Sequence, residues 1–369
     1  MKITVLGTRG IPNIQGGVET HCQELYPRLV RLGCDVTLLT RTPYVPKHDR
    51  RSSFKGVRLI HVYAPRKKFL EAIAHTFIGV LYARFIATDI LHIHAIGPAL
   101  LVPFARLLGI RTIVTHHGPD YNRQKWGKTA KFALRLGESL GVRFSNKVIT
   151  ISQVIANIVR DKYGRKDISV IHNGVTRVNP TEASEYIESL GLIKNGYIIA
   201  VGRFVEEKGF HDLLKAFSNQ KRIDTKLVLI GDADHETVYS NNLKKEAGRI
   251  KNILLTGFIK GEKLHQLFSH ARLFVLPSYH EGLPIVLLEA MNYNLPVLVS
   301  DIPANLEVDL PQNCYFKTGD VRDLTDKLSI KFSEMQKVNF SEILKEKYDW
   351  DDIAQSTLVF YDSLLKEVN

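Results

Sequence analysis

The chain has 369 residues, of which 44% are apolar and 24% charged. This length exceeds one ordinary core and fits two α/β domains, and the composition is that of a globular protein without low-complexity tracts. Residues 1–150 hold 23 Lys and Arg against 8 Asp and Glu, a net charge of +15, whereas the rest of the chain holds 27 against 30. The excess positive charge of the protein therefore belongs to its first half.

Short apolar runs that end in turn signals predict a parallel sheet in the first half. The predicted strands are residues 2–7, 35–40, 57–63, 90–95, 111–117 and 145–152, the last of these being the final strand of the domain. A helix is predicted from Val18 to Leu32, where Gly33 stops it. Strand and helix alternate in the way that is typical of a doubly wound α/β fold.

The same alternation restarts in the second half, so we expect a domain boundary between about residues 165 and 195. The predicted strands there are residues 197–203, 226–232, 253–258, 273–278 and 295–300, and residues 348–367 form a closing helix. Ligands bind beyond the carboxyl ends of the strands in open α/β sheets. The sequence therefore predicts two Rossmann-like domains that face each other across a ligand-binding cleft.

Two features favour the cytoplasm as the compartment. The opening residues MKITVLGTRG resemble a strand and a turn more than a secretory signal. The three cysteines (22, 34 and 314) are odd in number and show no metal-ligand spacing, which predicts reduced core thiols. The most apolar windows, 69–87 and 96–110, are interrupted by charged residues and prolines, so neither predicts a membrane span.

Basic residues are densest in 41–58, in 65–70 and in 122–143. The last segment combines Arg123, Lys125 and Lys128 with Trp126 and predicts a helix suited to an anionic membrane surface. An ordinary solvated helix is the alternative. Nucleic acid is not expected as a partner, because no binding motif or aromatic platform accompanies the charge.

The first glycine loop, GTRGIPNIQGG, lacks the GxGxxG spacing of a dinucleotide-binding dehydrogenase. Gly16 and Gly17 stand instead at a predicted helix start, where free backbone N–H groups can approach an anion. In the second half, Arg203 follows a strand and Lys208 comes five residues later. Two such cations can stabilise a diphosphate leaving group.

The segment PSYHEGLPIVLLEAM (277–291) carries the most specific signal. Glu281 stands at a loop-to-helix junction, the backbone of residues 282–284 opens a helix, and Glu289 follows on the same helix. A carboxylate in the loop can accept hydrogen bonds from sugar hydroxyls, and one eight residues later can accept those of a ribose. Solvated surface is a poor explanation for two glutamates in so apolar a run.

These motifs resemble the family-4 retaining glycosyltransferases of the GT-B fold. EGLPIVLLE matches the E-x7-E motif of that family, GRFVEEKG matches its phosphate-binding motif, and QGGVE matches its N-terminal G-G-x-E. IHNGV stands where the family has P-N-G-V, with His172 in place of proline, and YDWDDIA matches its final helix. GTRGIPNIQGGVET and THHGPDYNRQKWGK further resemble a bacterial subgroup that builds surface polysaccharides and includes rhamnosyltransferases.

The resemblance implies an acceptor-binding domain over residues 1–170, a nucleotide-sugar-binding domain over 171–347 and a helix, 348–369, that packs back on the first domain. Arg203 and Lys208 would hold the donor diphosphate, with Gly16 and Gly17 on its other side, and Glu289 would bind the ribose. Glu281 would contact the transferred sugar together with the backbone of Gly282, Leu283 and Pro284. The strand-end histidine near the reacting sugar corresponds to His117, or to the adjacent His116. His92 and His94 are expected to be packing residues, of which one could face the cleft.

The first domain would take the acceptor, a saccharide linked through diphosphate to a polyprenol. Its contacts are expected from Glu19, Asp120 and the basic segment already described. The donor would be a UDP-, GDP- or dTDP-sugar, and the protein would lie at the inner face of the plasma membrane. No cofactor or metal is implied, although Asp232-Ala-Asp234 spells the D-x-D of metal-dependent transferases. A nucleotide-sugar epimerase and a non-catalytic membrane-surface protein remain as alternative functions.

Overall fold

A computed structural model describes residues 1–65, 70–122, 126–220, 225–233, 236–333 and 338–366. The chain divides into two compact units. Unit 1 comprises Met1–Gly174 together with Tyr348–Asn369, and unit 2 comprises Val175–Lys347. Each unit is an open α/β sheet covered by helices, as the sequence predicts.

The sheet of unit 1 has eight strands in the order β3-β4-β2-β1-β5-β6-β7-β8, all parallel except for β3. Their bounds are β1 Lys2–Leu6, β2 Asp35–Arg41, β3 Ser53–Phe54, β4 Val57–Val62, β5 Ile90–His94, β6 Thr112–His116, β7 Lys147–Thr150 and β8 Ile168–Val170. The prediction that the run 145–152 is the final strand was wrong, because β8 pairs with β7 beyond it.

Helices cover both faces of this sheet. Their bounds are α1 Gly17–Arg31, α2 Leu70–Phe85, α3 Val102–Leu107, α4 Lys128–Phe144, α5 Gln153–Tyr163 and the closing helix α14 Trp350–Lys366. On one face, α1 and α14 pack on the side chains of Ile3 and Val5. On the other, α2 and α3 pack on Leu6 and Leu39, with α4 against α3. The faces alternate because successive strand residues point to opposite sides.

Unit 2 contains a six-stranded parallel sheet in the order β11-β10-β9-β12-β13-β14. The strands are β9 Tyr197–Val201, β10 Lys226–Ile230, β11 Ile253–Gly257, β12 Leu273–Leu276, β13 Val297–Ser300 and β14 Tyr315–Phe316. The helices are α6 Glu185–Ser189, α7 Phe210–Ser218, α8 Val238–Ala247, α9 Glu262–Ser269, α10 Ile285–Asn292, α11 Pro303–Leu306, α12 Val321–Ser333 and α13 Ser341–Lys347.

The five strands predicted for unit 2 are present, and the two-residue strand β14 is added at the edge. The core of unit 2 is formed by strand residues such as Ile198 and Leu229 together with the inner sides of α7 and α12. Among the helices that the structure describes, none combines the length and the apolar character needed to cross a bilayer.

Candidate functional site

The sheet of unit 2 reverses its strand order at β9, whose two neighbours are β10 and β12. The loops that follow β9 and β12 leave the sheet side by side at this switch point, where open α/β sheets bind ligands. The backbone N–H of Tyr279 donates to the carbonyl of Glu207 at 2.9 Å and joins the two loops. The candidate donor residues predicted from the sequence thus come from two segments that contact each other.

Gly209 makes this close approach of the loops possible. Its φ of +66° lies in the left-handed region, and a Cβ added there would come within 1.9 Å of the carbonyl oxygen of Pro277. Because both the conformation and the space exclude a side chain, glycine is required at this position. The glycine of the VEEKG motif therefore has a structural reason that the sequence pattern alone does not reveal.

The structure brings Lys208 and Glu281 together in a direct ion pair. The Lys208 ammonium lies 2.5 Å from Oε1 of Glu281, and the Ser278 hydroxyl donates to the same oxygen at 2.6 Å. Burial raises the pKa of Glu281, but the charge of Lys208 and the two hydrogen bonds outweigh burial and leave this pKa below its usual value. Glu281 is therefore an anion at neutral pH, and it holds the cation in place.

The other predicted donor residues are distributed over the same two segments. Arg203 is half-buried and lies two residues beyond the end of β9. Gly282 and Leu283 follow Glu281, and Pro284 is the N-cap of α10, so residues 282–284 lead directly into that helix. Glu289 is half-buried on that helix.

In unit 1 the loop after β1 is closed by Glu19, which the sequence assigned to the acceptor. The buried Glu19 carboxylate accepts a hydrogen bond from the backbone N–H of Arg9 at 2.9 Å and pairs with its side chain at 3.3 Å. A Cβ added at Gly16 would lie 2.1 Å from this carboxylate. Gly17, the first residue of α1, has no described atom within 4 Å of an added Cβ. Glu19 thus shapes the glycine loop from inside.

His116 and His117 have different surroundings at the end of β6. The N–H of Gly118 donates to Nδ1 of His116, so its Nε2 carries the hydrogen that is donated to Glu138 at 2.8 Å. His116 is fully buried, and both of its ring nitrogens are used. Nε2 of the half-buried His117 contacts His94, and none of the described residues forms a hydrogen bond with Nδ1 of His117. This geometry favours His117 as the substrate-facing histidine.

A buried chain of hydrogen bonds connects His117 to the closing helix. Nδ1 of His94 lies 2.9 Å from Nε2 of His117, and the Tyr26 hydroxyl contacts Nε2 of His94 at 2.5 Å and Nδ1 of His92 at 2.9 Å. Tyr361 of α14 completes the chain at 2.5 Å from His92. Burial above all lowers the pKa values of these histidines, that of His92 to about 3. The imidazoles are therefore neutral at neutral pH.

The remaining predicted acceptor residues lie between the end of β6 and the first residue of α4. Asp120 is half-buried in a single 3-10 turn, and Lys128 is exposed at the first position of the helix. Trp126 packs against the small cluster formed by Ile96, Tyr121 and Leu134. The predicted contacts of Arg123 and Lys125 lie outside the described residues.

No group of three or more potential metal ligands occurs in the described part of the chain. Asp232 pairs with Lys244 at 2.7 Å, and Asp234 lies outside the described residues.

Comparison with known proteins gives a match in each unit. Residues 15–177 match the model described as Glycosyltransferase Family 4, and residues 183–342 match the model described as Glycosyl transferases group 1. An uncharacterized glycosyltransferase of Methanocaldococcus jannaschii is 27% identical over 98% of both chains. The amylovoran biosynthesis glycosyltransferase AmsD of Erwinia amylovora is 25% identical over 42% of this chain and 44% of its own length.

Two further comparisons concern a lipid-linked acceptor and the fold. The UDP-Gal:alpha-D-GlcNAc-diphosphoundecaprenol alpha-1,3-galactosyltransferase of Escherichia coli is 29% identical over 59% of each chain. The crystal structure of Anabaena HepE in complex with UDP-glucose superposes with a TM-score of 0.81, at 20% identity over 98% of this chain and 100% of HepE. The structural likeness shows a shared GT-B architecture.

Proposed function

Because the chain is a glycosyltransferase composed of a family 4 domain and a group 1 domain of the GT-B fold, we propose that it moves a hexosyl-type sugar from a nucleotide-sugar to an acceptor hydroxyl with retention of configuration. The observation that carries this proposal is the ion pair between Lys208 and Glu281 at the switch point of unit 2. In this pair Lys208 is the cation that would bind the diphosphate, and Glu281 is the anion that would accept hydrogen bonds from the sugar hydroxyls.

Electrostatic stabilisation of the leaving diphosphate is the main catalytic effect in this proposal. As the bond between the anomeric carbon and the phosphate oxygen breaks, Lys208 and Arg203 offset the charge that develops on that oxygen. Glu281 accepts hydrogen bonds from the sugar, Glu289 accepts those of the ribose, and the backbone before α10 approaches the phosphates. The UDP-glucose complex of HepE supports a nucleotide-sugar as donor.

Retention follows from attack on the same face from which the leaving group departs. The acceptor oxygen forms the new bond to the anomeric carbon, and its proton passes to the departing phosphate oxygen. The neutral imidazole of His117 offers its Nδ1 side for a hydrogen bond to the reacting sugar. His94 orients that ring and keeps it in one position.

For the acceptor, we infer a saccharide carried on a polyprenyl diphosphate, which serves the assembly of an O-antigen, a capsule or an exopolysaccharide. The diphosphoundecaprenol-linked substrate in the name of the Escherichia coli relative supports this class. The +15 charge of residues 1–150 suits both a diphosphate and an anionic membrane surface. The enzyme would then lie at the cytoplasmic side of the plasma membrane as a peripheral protein.

We predict that transfer to a polyprenyl-diphosphate-linked saccharide continues in excess EDTA, because Arg203 and Lys208 supply the positive charge that other transferases take from a metal. Product formation is followed by mass spectrometry with and without EDTA and with and without acceptor. Loss of activity that Mg²⁺ or Mn²⁺ restores would contradict metal independence. Conversion of the donor without any acceptor to an isomer of equal mass, which chromatography before the mass spectrometer separates, would identify an epimerase instead.

A further inference from the structure

Helix α2 is apolar on two opposite sides. Its inner side, with Val80 and Ala83, is fully buried against the sheet of unit 1. With 3.6 residues per turn, a second set of apolar side chains shares the opposite face, and each of its members is between 40% and 88% exposed: Leu70, Phe77, Ile78, Leu81 and Phe85. A surface helix normally has one apolar side, which faces the core, and a polar side that faces water. The outer face of α2 is therefore built for contact with something else.

Helix α3 extends this face beyond a single helix. Phe104 of α3 stacks on Phe77 with the ring centroids 5.3 Å apart and an angle of 16° between the rings. Leu107, at the end of α3, is 86% exposed. An apolar surface contributed by two helices exceeds the scattered single residues that are ordinary on protein surfaces. We call the outer sides of α2 and α3 the apolar face.

All exposed charged residues on helices α2, α3 and α4 are basic. The two carboxylates of these helices are buried and paired, Glu71 with Arg41 at 2.8 Å and Glu138 with His116 and Lys162. The basic residues of these helices are exposed or half-buried: Arg84, Arg106, Lys128, Lys131, Arg135 and Arg143. Arg84 and Arg106 belong to the two helices that form the apolar face. The helical layer thus presents apolar side chains together with cations.

We propose that the apolar face of α2 and α3 docks on an anionic lipid bilayer, with Phe85 and Leu107 entering the boundary between headgroups and acyl chains. An anionic bilayer complements both properties of the layer, since it offers negative headgroups above an apolar interior. Two copies of this chain that met through the same face would oppose cation to cation, which disfavours a symmetric dimer. This inference rests on the proposed lipid-linked acceptor and replaces Trp126 and the start of α4 as the main contact.

The test is co-sedimentation of the full chain with phosphatidylglycerol/phosphatidylcholine vesicles and with phosphatidylcholine vesicles. We expect the double variant Phe85→Ser/Leu107→Ser to bind anionic vesicles about tenfold more weakly, because both side chains lose their burial in the bilayer. The matched control is Ile193→Ser/Val238→Ser in unit 2, whose parent residues are 77% and 80% exposed. The control should bind as the wild type does.

The charge contribution is tested with Arg84→Glu/Arg106→Glu, for which we expect a loss of at least about fivefold for each charge removed. Its control is Lys245→Glu/Arg249→Glu, two exposed residues of unit 2. Unchanged vesicle binding in both face variants would overturn the proposal. A second result would also overturn it: the wild type does not bind vesicles but forms a dimer, and the double variant Phe85→Ser/Leu107→Ser dissociates that dimer.

Failure of this inference is distinguishable from failure of the proposed function. Thermal stabilisation by nucleotide-sugars reports on unit 2 and should be the same in the wild type and in all four double variants. If the variants of the apolar face lose vesicle binding while nucleotide-sugars still stabilise them, the apolar face binds the membrane and the donor site is intact. If the wild type binds vesicles but no nucleotide-sugar stabilises it against thermal unfolding, the docking surface is supported and the proposed transfer reaction is contradicted.

Discussion

Replacing Glu281 by glutamine is expected to lower kcat by about a hundredfold or more, because one charge-assisted contact in a preorganised site contributes on the order of 3 kcal/mol to the barrier. The substitution removes the charge that pairs with Lys208 at 2.5 Å and leaves the volume of the side chain unchanged. Because the side chains of Lys208 and Glu281 remain 16% and 11% exposed, water can solvate the cation that loses its partner, and we expect the melting temperature of unit 2 to stay within a few degrees of the wild-type value. Initial rates of sugar transfer measure the effect.

Two controls separate the charge of Glu281 from its hydrogen bonds. Ser278→Ala removes the hydroxyl that donates to Glu281 but keeps the carboxylate, so we expect a loss of about tenfold, which is smaller than the loss in Glu281→Gln. Glu262→Gln, at an exposed position on α9, should have no effect on turnover. Turnover close to the wild-type rate in Glu281→Gln would show that the reacting sugar is held elsewhere.

Removing the charge of Glu138 is expected to have the largest effect on stability. Its side chain is fully buried in α4 and bonds to His116, Lys162 and Tyr163. Glutamine at this position leaves the partners of a buried anion without their counter-charge, which costs about 3–5 kcal/mol. Thermal unfolding and hydrogen exchange of the amides of α4 measure the loss. Asp161→Asn, at an exposed position on α5, is the matched control and should cost less than about 0.5 kcal/mol.

The same substitution should also change the dependence of stability on pH. Burial raises the pKa of Glu138, but the bonds and charges of its partners outweigh burial and lower this pKa from 4.5 to about 2. Because the folded-state pKa is depressed, the stabilisation is complete above pH 4.5 and is lost as the pH falls towards 2. The difference in unfolding free energy between the wild type and Glu138→Gln should therefore shrink over that range. A difference that stays constant with pH would contradict the assignment.

The strands were predictable wherever an apolar run was long enough to be buried on both faces, as in β1 and β10. Strands β3, β8 and β14 were not predicted, because a strand of two or three residues shows too little of the apolar pattern. Placement of the candidate donor residues beyond β9 and β12 followed from the motifs. Their meeting depends on the order of the strands, which brings Lys208 and Glu281 together across 73 positions of the chain.

Glu138 carried a signal that the sequence analysis did not use. It stands four residues from Leu134 and from Val142 on the buried side of α4, where an acidic residue requires partners. The contact of His94 with His117 could not be predicted in this way, because it depends on the register between β5 and β6. In that register His94 lies opposite Thr115. No local pattern in the sequence specifies that register.

Binding of a nucleotide-sugar by unit 2 through Lys208 and Arg203 is tested most directly by a thermal-shift screen of UDP-, GDP- and dTDP-sugars. A donor at 100 times its dissociation constant should raise the free energy of unfolding by about 2.7 kcal/mol. We predict that at least one donor stabilises the wild type and that Lys208→Ala and Arg203→Ala each lose most of this effect. Absence of any stabilisation, or full stabilisation in both variants, would contradict a donor site formed by Lys208 and Arg203.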